Sequence, residues 1–159
     1  MASNRACRWA ATLSAIGVLV WSGAADGQTR AQARVAGAKK LTCVFSLMAT
    51  GTWKGGEPQA ETKSAKLSLG FDEVEVDDGT ARVTGAFGPS DIIVRLSFGT
   101  LHFVQSFRDG PVYITTVFPK ETRNGNLQAV HTRHEYTQVS LPGFTSQPEQ
   151  YYGECSVEP

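Results

Sequence analysis

From Leu41 onward, apolar residues recur at every second position in short runs, each closed by a Gly-, Pro- or Asp-rich break. A period of two suits a strand with one buried face, because successive side chains leave it on opposite sides. Leu41, Cys43, Phe45 and Leu47 share one face of a first strand that ends near Trp53, and residues 54–64 read as a polar turn. Leu67, Leu69 and Phe71 resume the alternation. Val74 and Val76 then shift it by one, which predicts a bulge near Asp72. Asp77-Asp78-Gly79 and Gly88-Pro89-Ser90 are turns on either side of a strand over 81–87. Ile92, Val94, Leu96 and Phe98 alternate most clearly, and Leu101, Phe103 and Phe107 mark the next strand. After a hairpin turn over 108–111, Val112, Ile114, Thr116 and Phe118 define one face of the return strand. A long strand over 127–141 and a last one over 150–157 are separated by Pro142-Gly143-Phe144. These are about eight antiparallel strands with no convincing amphipathic helix. The fold class is all-β, either a small barrel of calycin-like architecture or a two-sheet sandwich.

The start of the chain follows another logic. Arg5 and Arg8 precede a mostly apolar run over 9–21, and Ser22-Gly23-Ala24-Ala25 supplies small residues before Asp26, the first acid. That order is a secretory signal peptide, cut after Ala24 or Ala25. The run is shorter than the roughly 20 apolar residues a spanning helix needs. The expected organisation is a signal peptide over 1–25, a flexible arm over 26–40 and one β domain over 41–159. It leaves no transmembrane segment after cleavage and places the protein in the periplasm or outside the cell.

Processing changes the charge and the cysteines. Losing Arg5 and Arg8 leaves 13 basic against 15 acidic side chains, with no basic stripe, so nucleic acid is not an expected partner. Cys7 departs with the leader, leaving Cys43 and Cys155 near the two ends of the domain. Two thiols in an oxidising compartment pair, and this pairing would bring the first and last strands together. That adjacency tilts the choice toward the barrel.

Candidate chemistry is sparse. His131, Arg133 and Glu135 alternate on one strand face, and a metal site would need His102 to join His131 and Glu135. A solvated strand face with cross-strand charge pairs explains the same residues. Glu73, Glu75 and Asp77 lack the spacing of a calcium loop and read as an acidic edge. No serine sits in a G-x-S-x-G elbow, so no catalytic residue, metal ligand or cofactor is assigned.

Gly51-Thr52-Trp53 resembles the G-x-W element of lipocalins and the avidin group. The resemblance implies an eight-stranded up-and-down barrel, with the tryptophan closing one end and a small ligand inside. Trp53 is the only tryptophan left after processing, so biotin binding is not implied. The expectation is an exported, non-catalytic protein holding a small apolar or amphipathic ligand, with Trp53, Phe103, Phe107 and Tyr113 as ligand-binding candidates. The alternatives are a structural or interaction protein binding a protein or glycan through its surface, and a secreted hydrolase or metal enzyme. The first requires an interior with room for a ligand.

Overall fold

A computed structural model describes residues 23–86, 88–108, 110–134 and 147–158. It contains one helix, α1 (Gly23–Ala36), followed by β1 (Lys40–Lys54), β2 (Glu57–Glu75), β3 (Thr80–Gly85) and β4 (Gly88–Ser97). β5 (Thr100–Ser106), β6 (Val112–Glu121), β7 (Leu127–His134) and β8 (Glu149–Glu158) complete the chain. Every strand pairs antiparallel with the next, and β8 pairs back onto β1, so the sheet closes in a ring. Of the long strand expected over 127–141, the part beyond His134 lies outside the described residues, as does most of the leader over 1–25.

Closure follows from the period-two pattern. Leu41, Cys43, Phe45, Leu69, Phe71, Val83, Val94, Leu101, Phe103, Val117 and Leu127 all point inward and are buried. The rings of Phe71 and Phe103 stack 4.1 Å apart in the interior. Burying a side chain of this kind contributes roughly 1.5–3 kcal/mol. At the seam, Cys43 and Cys155 are directly paired, 4.0 Å apart at Cα, and joined by a disulfide. Bonds of this kind are typical of oxidising compartments.

Three register shifts interrupt the ladders of the described residues, one of them between Val117 and Glu121 where β6 pairs with β7. β1 changes register between Phe45 and Leu47 against both β2 and β8. Gly153 of β8 faces that bulge, and a Cβ there would overlap the Val44 carbonyl oxygen and the Phe45 Cα. The third lies between Asp72 and Glu75 on β2, where Glu73 adopts a φ of 51°. It coincides with the shift in the Phe71–Val74 alternation. Glu73 itself bonds Arg82, and Glu75 bonds Lys39.

Two expectations need correction. Residues 26–40 are not a flexible arm: α1 covers most of them, and Ala31, Val35 and Ala38 are buried against the sheet. Ala31 and Val35 stand at i and i+4 on one face of the helix, and Ala38 follows just beyond its end. Arg34 fixes the helix by bonding Glu121 and the Gly125 carbonyl at 2.7 and 2.8 Å. The polar turn is also much shorter than 54–64. Gly55 and Gly56 alone make it, at φ 61° and 88°, and β2 begins at Glu57. Positive φ at both central residues defines a type I′ hairpin, which only glycine and a few polar residues accept cheaply. β1 and β2 therefore form a two-stranded arm reaching past the ring. No helix among the described residues is long and apolar enough to cross a membrane.

Candidate functional site

α1 lies against β5 and β6 at one end of the ring. The other end is polar, and its composition follows from register. Reading across neighbouring strands, the inward row Phe103, Thr115, His131, Tyr151, Met48 and Lys63 is succeeded by Gln105, Tyr113, Arg133, Glu149, Thr50 and Glu61. Phe103, Thr115, His131, Tyr151 and Met48 of the first row are buried, whereas in the second row only Tyr113 is.

His131 sits at that boundary, 3% exposed. The rings of Phe45, Tyr113 and Tyr151 surround it at 5.8, 5.8 and 5.9 Å. Arg133 Nε donates to His131 Nε2 at 3.4 Å, so the ring proton is on Nδ1, which donates to Thr115 Oγ1 at 2.8 Å. Burial, and secondarily the Arg133 charge, push the His131 pKa down to about 3. This histidine is neutral under ordinary conditions and serves as a packing and hydrogen-bonding group.

Arg133 is half-buried, its guanidinium 5.2 Å from the centres of both the Tyr113 and Tyr151 rings. Such contacts orient the cation without neutralising it. None of the ion pairs among the described residues involves Arg133. Glu149, its register partner, instead accepts the Tyr151 hydroxyl at 2.5 Å. Arg133 opens on an external cleft of about 370 Å³ lined by Met48, Lys63, Lys66, Leu67, Glu149 and Tyr151, among others.

The interior holds far less space. Two cavities of about 50 and 10 Å³ lie below the rim, bounded in part by Leu69, Val83, Gln105, Tyr113 and His131. Small-molecule sites run to roughly 300–1,000 Å³. A groove of about 640 Å³ lies outside the ring between α1 and the end of β6, with Ala31, Phe118 and Pro119 on its walls.

The four ligand-binding candidates fall in different places. Phe103 is buried deep in the core at 1% exposure. Tyr113 and Phe107 meet edge-on at 4.8 Å near the rim. Trp53 is 75% exposed near the tip of the β1–β2 arm and closes no end of the ring. His102 and His131 do not converge: His102 lies on the outer face, bonded to Thr116 Oγ1 at 3.2 Å, whereas His131 points inward. Glu135 lies outside the described residues. Among the described residues no group of three His, Cys, Asp or Glu side chains could hold a metal ion.

The sequence pattern placed His131 and Arg133 on a solvated face, read Tyr151 and Tyr152 as packing residues at a strand end, and gave no role to Glu149. A signal was present. Leu127 and Ala129 occupy the same face of β7 as His131 and Arg133, so the strand runs from core to rim. No known family model, curated protein or solved structure matches this chain.

Proposed function

We propose that the protein is exported, loses its leader and acts as a non-catalytic binding barrel that takes a small anionic amphipath at its rim. The observation that carries this reading is Arg133, a half-buried guanidinium held between two tyrosine rings and engaged in no ion pair among the described residues, facing a cleft. Its remaining N–H donors suit a carboxylate, sulfate or phosphate head bound side-on. Met48, Ala65 and Leu67 offer the cleft's apolar wall, and Lys63 and Lys66 add positive charge. The small interior cavities argue for a ligand bound at the rim rather than swallowed whole. Export rests on the leader pattern and on a disulfide that suits an oxidising compartment.

Native mass spectrometry of protein secreted by its own host tests both parts. Cleavage predicts a mature chain beginning at Ala25 or Asp26, within the first turn of α1, and binding predicts an adduct lost on Arg133→Met. An uncut chain would overturn export, and an adduct unchanged by Arg133→Met would overturn the site.

One observation favours a second reading, a surface interaction protein. Ile93, Val104 and Ile114 are direct cross-strand neighbours on the outer face of β4, β5 and β6, and Ile93 is 48% exposed. An apolar row on the solvent side of a sheet suits a protein partner. In that case Ile93→Lys abolishes partner capture while Arg133→Met leaves it intact.

A further inference from the structure

β2 is longer than the partner on one of its sides. β1 pairs with it from Glu57 to Phe71, but β3 pairs with it only from Gly70 to Glu75. Along residues 57–69, one edge of β2 faces no strand among the described residues. An edge of this kind offers a row of backbone donors and acceptors to any extended chain.

The charge order along this edge points to one occupant. Its sequence is Glu57-Pro58-Gln59-Ala60-Glu61-Thr62-Lys63-Ser64-Ala65-Lys66, acidic in the first half and basic in the second. Residues 57–64 are all exposed. Neither Glu61 nor Lys63 belongs to any ion pair of the described residues. Reversed onto itself about Thr62, this strand sets Glu61 opposite Lys63.

The hairpin fixes which groups face outward. In a type I′ turn the flanking pair, here Lys54 and Glu57, exchanges ladder hydrogen bonds. Alternation then turns the backbone groups of Pro58, Ala60, Thr62 and Ser64 away from β1, toward the open edge. Pro58 has no N–H to offer, so the usable stretch centres on Thr62.

We infer that two copies of this chain join edge to edge through β2, antiparallel about a two-fold axis at Thr62. In that register Thr62 meets Thr62 of the second copy, and Ala60 meets Ser64, as hydrogen-bonded pairs. Glu61 and Lys63 meet as the closer, non-hydrogen-bonded pairs, and symmetry makes two such ion pairs. The ring of one copy thereby continues into the arm of the other. Lys63 turns to the second copy, leaving Arg133 and Lys66 as the cations of the cleft. The inference is independent of the binding role assigned to Arg133.

Sedimentation equilibrium of the mature chain over a range of micromolar concentrations tests it. The wild type forms dimers. Lys63→Glu and Glu61→Lys each weaken association by about tenfold or more, because each replaces two attractive pairs with two repulsive ones. The double swap Glu61→Lys with Lys63→Glu restores it. Thr62→Cys forms a disulfide-linked dimer under air oxidation, since paired Cα atoms in this position lie about 5.5 Å apart. Gln59→Cys, away from the axis, does not. All these positions are exposed, and an unchanged circular dichroism spectrum confirms that each variant folds. A wild type monomeric at every concentration overturns the inference, as does a dimer indifferent to the single charge reversals.

Discussion

Cys43 and Cys155 face each other in register where the first strand meets the last, 112 residues apart in sequence and 4.0 Å apart at Cα. The disulfide therefore fastens the seam at which the sheet closes. Its two sulfurs are wholly buried, so the bond is also part of the core.

Removing that fastener frees almost the entire domain in the unfolded state. For a loop near 100 residues the chain-entropy estimate is about 4–5 kcal/mol. Replacing both cysteines with alanine should lower unfolding free energy by about 4 kcal/mol, read from urea denaturation. A loss below about 1 kcal/mol would mean that the seam holds without it.

His131 sets an acid limit on stability. Its folded pKa, about 3, lies below the ordinary 6.5 of the unfolded chain. The unfolded state thus binds the proton first, and stability present above pH 6.5 is lost as pH falls toward 3. The slope approaches about 1.4 kcal/mol per pH unit. Glu154 is held below its usual range by hydrogen bonds from Thr122, Asn126 and Asn124, and Glu158 by Lys40. Those carboxylates add their own loss only below about pH 4.5. Between pH 6.5 and 4.5 the wild type should weaken while His131→Gln stays level, as followed by thermal denaturation. Parallel curves would contradict the burial of a neutral imidazole.

Gly153 and Gly51 give a matched pair of substitutions. A Cβ at Gly153 runs into the backbone of the β1 bulge, whereas one at Gly51 meets nothing within 4 Å. Gly153→Ala should cost about 2–3 kcal/mol, and Gly51→Ala should change stability by less than about 0.5 kcal/mol. Equal effects would show that the bulge does not press against β8.

Trp53 provides a check on the arm. At 75% exposure it contributes little to the core, so Trp53→Ala should leave the thermal midpoint within about 2 °C. A fall of ten degrees or so would return the tryptophan to the role of an end cap.

The strands and their closure were legible because burial on one face forces a two-residue period. The Phe71–Val74 shift even marked the β2 irregularity. The helix was hidden because the only described residues it buries are Ala31 and Val35, too few to register as an amphipathic stripe. The arm was hidden because β2 between Glu57 and Ser64 buries neither face, so polarity there resembled a turn. The site was missed for a related reason. His131 and Arg133 are polar by type, yet they follow Leu127 and Ala129 up an inward face, where position along the strand decides burial.

The binding role of Arg133 is tested most directly by isothermal titration with octanoate, octyl phosphate and octanol. The account predicts that the two anions bind, that octanol does not, and that Arg133→Met weakens the anions at least tenfold, about 1.4 kcal/mol. Anion affinity unchanged in Arg133→Met, or octanol bound as tightly as octanoate, would contradict it.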